Sequence, residues 1–197
     1  GAMLAHDFFK EMYHPNLVSY TNIGISNPFK DFFDYVQDQD LGKYSLPESK
    51  TVKAFLYSIP RTVEDHVEAA KLTAKEMISK GNMIKRYIDT SVETTREYAH
   101  VVQIDEYKAL MVNSAVMFDD IAAELKKRVK EEGLDFCGCY FVCNEDMIKF
   151  SLRSKEDFTT DVDVVAKRFG GGGHRFAAGF EVRKEMFNLR ELKSIKL

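Results

Sequence analysis

Gly170-Gly171-Gly172-Gly173-His174-Arg175-Phe176-Ala177-Ala178-Gly179-Phe180 is the stretch of this sequence best equipped for chemistry. Four consecutive glycines forfeit backbone entropy, so they serve a close approach or positive φ angles. Successive bare amides form a concave donor surface that suits a phosphate or a carboxylate. His174 and Arg175, at the exit of the run, add charge-assisted donors. A flexible linker with an incidental histidine would be flanked by polar residues, whereas apolar residues abut this run on both sides. A second element is Ser151-Leu152-Arg153-Ser154, at the end of an expected strand. There Leu152 points inward and Ser151 and Arg153 point the other way. An arginine beside a hydroxyl at a strand end can clamp a phosphate, although taken alone it is more simply a solvated arginine.

These segments need elements to hold them. Asp161 to Phe169 reads as a helix with Val162, Val165, Ala166 and Phe169 on one side. Phe136 to Val142 and Met147 to Leu152 read as paired strands around an Asn144-Glu145-Asp146 turn. His100 to Ile104 and Lys108 to Asn113 are short β-rich runs, Phe118 to Glu132 is an amphipathic helix closed by Gly133, and Phe176 to Val182 is a short apolar stretch. Everything earlier is helical in pattern. Leu4 to Tyr13 is a short amphipathic helix, Asn27-Pro28 opens a second and Pro47 a third. The longest pattern runs from Arg61 to about Arg96 as a seam of small and apolar residues, with Thr62 and Asp65 as a capping pair and Gly81-Asn82 as a candidate break. The small residues of that seam are expected to be packing spacers. The seam between Val63 and Thr95 could serve the internal core or a homodimer. The fold class expected is α/β: a helical N-terminal arm with a long linker helix over residues 4–98, then a small mixed β-sheet domain flanked by helices over 99–197.

Composition narrows the function classes. The balance of 45% hydrophobic and 30% charged residues over 197 residues is that of a globular chain. No apolar run approaches the ~20 residues of a membrane span, and no secretory signal is present, so a cytoplasmic protein is expected. Gly1-Ala2-Met3 has the look of a remnant of tag removal and is left out of the reading. The net charge is −3, yet residues 149–184 carry eight basic against five acidic side chains. A basic end on an acidic body suits a small anionic ligand held in one place, not salt-driven tracking along a duplex. Cys137, Cys139 and Cys143 share one strand parity and cannot easily close a tetrahedral zinc site. Small buried thiols in a reducing compartment are the expectation.

The string from Phe150 to Phe180 closely resembles the DHH-associated domain of DHH phosphoesterases, a group of RecJ-type exonucleases, nano-RNases and cyclic-dinucleotide phosphodiesterases. The matching parts are Ser151 to Ser154, the Asp161 to Phe169 helix, and Gly171 to Gly179 with its Gly-Gly-Gly-His and Ala-Ala-Gly signature. Lys108 to Ser114 looks like the first strand of that domain. More loosely, Phe8-Phe9, Pro15-Asn16-Leu17 and Tyr35 to Leu41 resemble a subgroup with an Asp-x-Asp-Leu-Trp turn before the long helix, with Gly42 in place of the tryptophan.

The resemblance implies a substrate-binding role for Arg153, Ser154, Gly171, Gly172, Gly173 and His174, and for Asn113 and Arg175, with Arg175 otherwise a solvated rim residue. Family enzymes hydrolyse phosphodiester or phosphoanhydride bonds with two divalent metals, usually manganese, held by an N-terminal DHH domain. The Asp-His-His motif of that domain is not found, and no histidine pair exists in the sequence; Asp38-Gln39-Asp40 has the Asp-x-Asp form but belongs to the polar turn before the long helix. Asp40 is either the last metal ligand of the missing domain or a residue of a helix-end turn. One carboxylate cannot hold two metals, so the chain is not expected to be catalytic alone. The resulting expectation is the substrate-binding C-terminal region of a DHH-type phosphodiesterase or exonuclease. Its ligand would be a short oligonucleotide, a dinucleotide or another phosphate-bearing molecule. The alternative is a stand-alone RNA-binding or dimerisation module without catalysis.

Overall fold

The computed structural model describes residues 29–186 and the backbone of residues 194–195. The helix expected over Leu4 to Tyr13, the Pro15-Asn16-Leu17 match and the Asn27-Pro28 cap lie outside the described residues. Among the described residues no helix is long and apolar enough to cross a membrane. The chain divides into two compact units, residues 1–89 and 90–197. The sequence reading set the division at 98/99.

The first unit is helical: α1 (Lys30–Asp40), α2 (Ser49–Ser58), α3 (Val63–Ala70) and most of α4 (Ala74–Arg96). Its core gathers Phe32, Tyr35, Val52, Phe55, Ala69, Ala70 and Met77. The long pattern from Arg61 to Arg96 is two helices, and the break falls at Lys71–Thr73, not at the candidate Gly81-Asn82. The reason is a capping box. Thr73 Oγ accepts from the Glu76 N–H, and the Glu76 carboxylate accepts from the Thr73 N–H and hydroxyl. Asp31 takes the Ala74 N–H at 2.7 Å. Gly81 stays helical because α2 crosses in backbone contact: a Cβ there would sit 2.1 Å from the Thr51 carbonyl oxygen.

The second unit is a seven-stranded mixed sheet flanked by helices. Its strands are β1 (His100–Ile104), β2 (Tyr107–Asn113), β3 (Phe136–Val142), β4 (Met147–Arg153), β5 (Gly172–His174), β6 (Ala177–Arg183) and β7 (Ser194–Ile195), in the order β5-β6-β4-β3-β2-β1-β7. Only β2–β3 and β1–β7 are parallel. Helix α5 (Phe118–Glu131) is the crossover from β2 to β3, and α6 (Val162–Arg168) leads into β5. Strict alternation along β4 and β6 sends Ile148, Phe150, Leu152, Ala178, Phe180 and Val182 into one core with Val162, Val165 and Ala166 of α6. That core is built around an aromatic ladder. Tyr140, Phe150, Phe180 and Phe169 follow one another at ring-centroid separations of 5.8, 4.9 and 4.6 Å, within the range in which such pairs add to plain burial.

On the opposite face α5 buries Ile121, Ala122, Leu125 and Val129. Cys137 meets it there, its thiol 3.7 Å from the Ala122 carbonyl. Burial pushes the Cys137 and Cys139 thiols up to about 12, so both are neutral packing groups. Cys143 lies past the end of β3 and is exposed.

Candidate functional site

Strand register decides what the sequence could not: Arg153 pairs with Ala177, and Ala177 pairs with His174. The three residues form one row across β4, β6 and β5. Arg153 and His174 therefore stand two strand spacings apart, about 9–10 Å, with only a methyl group between them. One step along, Ser151 pairs with Gly179 and Gly179 with Gly172. Arg153, Ser151, Ala177 and Gly179 alternate out of the aromatic core. The floor beside the row thus carries almost no side-chain bulk.

Arg153 is held before any ligand arrives. Its Nε donates to Asp119 Oδ1 at 2.8 Å, and its Nη1 donates to Ser151 Oγ and to the Leu152 carbonyl, each at 2.9 Å. The side chain is 17% exposed. A guanidinium has five N–H donors in a rigid fork; these contacts fix its plane and leave Nη2 for a planar anion. Asp119, in the first turn of α5, fixes Arg153 and was missed by sequence reasoning, because its partner lies 34 positions away.

The glycine run is used differently from the expectation of free amides. Gly170 and Gly171 close α6. The Gly170 N–H donates to the Lys167 carbonyl and the Gly171 N–H to the Ala166 carbonyl, with Gly170 at φ +78°. This is the paired bonding of a Schellman end. Gly171 is required sterically, since a Cβ would lie 2.1 Å from the Gly179 carbonyl oxygen. The Gly173 N–H donates to Asp163 Oδ1 at 2.9 Å. At least three of the four amides are therefore engaged within the chain, and a carboxylate already occupies the one nearest His174. Asp163 pairs with Lys167 at 2.6 Å and is 17% exposed. The Lys167 contact, with help from Gly173 and the charge of His174, holds its carboxyl below the usual range. Its place in the first turn of α6 is the only signal the sequence offered, and that reads as dipole complementation.

The remaining candidates scatter. Ser154 is 1% exposed; its hydroxyl donates to the Thr160 carbonyl at 3.0 Å and its N–H to the Phe176 carbonyl at 3.0 Å. It braces the loop after β4 and does not open onto the row. Arg175 is exposed in the β5–β6 turn, its guanidinium 5.3 Å from the Phe176 ring centroid. Asn113 ends β2 opposite Tyr140, which pairs with Phe150, whereas Arg153 pairs with Cys137. Two strands across and three residues along, Asn113 lies roughly 14 Å from the row, and the structure does not bring them together.

Asp40 is exposed on the last turn of α1, in the helical unit. The neighbour that sequence reasoning passed over, Asp38, is the organised one. Its carboxylate accepts from the Ser45 N–H and hydroxyl, the Leu46 N–H and the Ser49 hydroxyl, at 2.6 to 3.3 Å. Burial alone would raise its pKa, but these donors outweigh it and hold the group at about 2. With both Asp38 oxygens engaged, Asp40 is the one carboxylate of this turn left for a cation. A pair of divalent metals needs more donors than that. Among the described residues no group of three or more metal-ligating side chains gathers, so these residues do not fit a two-metal centre by themselves.

No family model matches the chain, and no curated protein does. Solved structures resemble it at a distance. The pGpG-specific phosphodiesterase PggH of Vibrio cholerae is 11% identical with a TM-score of 0.47, over 87% of this chain and 70% of its own. An uncharacterised protein of Helicobacter pylori G27 is 19% identical at a TM-score of 0.32, over 79% of this chain. A DHH domain described as a member of the s1p family of ribosomal proteins is 11% identical at 0.43, over 81% of this chain. The chain spans 42% of the length of each of the last two.

Proposed function

We propose that this chain is the substrate-docking region of a DHH-type phosphodiesterase, and that Arg153 and His174 grip the phosphate and the terminal nucleotide of a dinucleotide or short oligonucleotide. One observation carries the reading. The register of β4, β6 and β5 sets the two cationic or titratable groups in a single row over a floor of Ala177 and Gly179. The resemblance of Phe150 to Phe180 to the DHH-associated domain supports it. A phosphate settling on that floor would meet the Nη2 edge of Arg153 on one side and the imidazole on the other. The Asp119, Ser151 and Leu152 contacts keep the guanidinium from turning away, so less freedom is lost on binding than for a floppy side chain. Hydrolysis requires the two metals of a separate catalytic domain. This chain's own part is to bind and orient.

The test is calorimetric titration with a 5'-phosphorylated dinucleotide at low salt. Charge-assisted bonds are worth about 1.5–3 kcal/mol, so Arg153→Ala and His174→Ala should each weaken binding by about tenfold or more. Arg153→Lys, which keeps the charge and loses the fork, should fall between. Undiminished affinity in both alanine variants would end this reading.

A further inference from the structure

Below the row, the second half of α5 and the segment after β4 form a groove of about 450 Å³ lined by Ala123, Lys126, Lys127, Lys130, Glu131 and Lys155. Lysines at the end of a helix are ordinarily explained by the macrodipole. That explanation covers one element, and here Lys155 arrives from another. Lys155 pairs with Asp157 at 2.9 Å, but the charges on the helix are not all spent. Arg128 pairs with Glu132 at 2.9 Å and Lys127 lies 3.8 Å from Glu124, but among the described residues Lys126 and Lys130 make no ion pair.

The groove continues the row. Lys155 follows Arg153 by two residues, at most about 7 Å along an extended chain. Lys126 and Lys130 are one helical turn apart, about 6 Å. Asp119, which holds Arg153, and Lys126 are seven residues apart on α5, two turns and about 10 Å along one face of the helix. Lys126, Lys130 and Lys155 line the same groove. Positive charge therefore continues from Arg153 past Lys126 to Lys130 and Lys155. The run is longer than a dinucleotide requires.

We infer that the Lys126–Lys130–Lys155 groove is a second phosphate-binding track, which takes the phosphodiester backbone of a single-stranded oligonucleotide whose end is held at Arg153 and His174. The proposal rests on the docking role above, and it makes oligonucleotides, not isolated dinucleotides, the substrate class. Spaced point charges on flexible stems suit successive phosphates and give no base selectivity.

The test compares a 5'-phosphorylated dinucleotide, a 5'-phosphorylated single-stranded octanucleotide of mixed sequence and inorganic polyphosphate. Each is titrated against the wild-type chain and Lys126→Gln/Lys130→Gln across a series of salt concentrations. The wild type should bind the octanucleotide about tenfold more tightly than the dinucleotide. The double variant should lose that advantage, keep its dinucleotide affinity within about twofold, and show a salt slope shallower by about 1.4, two lysines at roughly 0.7 each on a single strand. Unchanged octanucleotide affinity and slope in the double variant would overturn the track. If polyphosphate competes as strongly and is lost equally, the groove is a polyphosphate site and the oligonucleotide assignment fails. Should the dinucleotide not bind while the octanucleotide binds and loses affinity in the double variant, the track stands and the terminal site is what fails. No binding of any probe overturns both.

Discussion

Asp38 shows what a single carboxylate does for this chain. Four donors converge on it from Ser45, Leu46 and Ser49, and they tie the end of α1 to the start of α2. Its folded pKa of about 2 lies below the ordinary aspartate value of about 3.9. A depressed folded pKa means stability that is present above the unfolded value and is lost as pH falls through the folded one. Between about pH 4 and pH 2 the helical unit should therefore lose the share of stability that this group supplies. Asp38→Asn, with one acceptor and a misplaced donor, should unfold several degrees earlier at neutral pH and show a flatter acid limb in circular dichroism. Superimposable acid transitions for the two proteins would show that the hydrogen bonds do not bias protonation. At this same scale the sequence was half legible. Arg153 and His174 stood out as candidates by type and neighbourhood, and the register brings them into one row. Asp38, Asp119 and Asp163 did not, because each matters only through a partner that tertiary structure supplies.

At the scale of elements, the crossing of α2 and α4 turns on Gly81. An alanine there would gain about 1 kcal/mol of helix propensity, but its methyl would meet the Thr51 carbonyl oxygen at 2.1 Å. Overpacking of this kind costs about 1–3 kcal/mol, and the obstacle is backbone that cannot rotate away. Gly81→Ala should therefore be less stable by up to about 2 kcal/mol in urea unfolding, and a stabilised variant would mean that the helices slide apart freely. Strand and helix positions were readable from periodicity: β3 and β4 alternate or run apolar as expected, and Phe118 onward is amphipathic. The break at Lys71–Thr73 could have been read from Thr73 and Glu76, a capping pair three residues apart, but the glycine at position 81 drew attention from it. The strand made by Gly172 to His174 was not legible. Glycine has no strand preference to display, and only the ladder to β6 makes it one.

For the whole molecule, the docking reading assigns binding to this chain and bond cleavage elsewhere. With manganese and a dinucleotide, the chain alone should release no mononucleotide above background in a chromatographic assay, while still binding the probe. Turnover that survives Arg153→Ala and repurification would place catalytic groups within the 197 residues. The sheet carries a further consequence. Among the described residues its outermost strands are stubs, three residues in β5 and two in β7, whereas the interior strands β2, β3, β4 and β6 each run to seven. An open strand edge is a template on which a second molecule can extend the sheet, and short edges offer it little. Among the described residues the stubs leave four residues of β6 and three of β1 uncovered on their outer sides, so each end of the sheet offers a second molecule only a short ladder to extend.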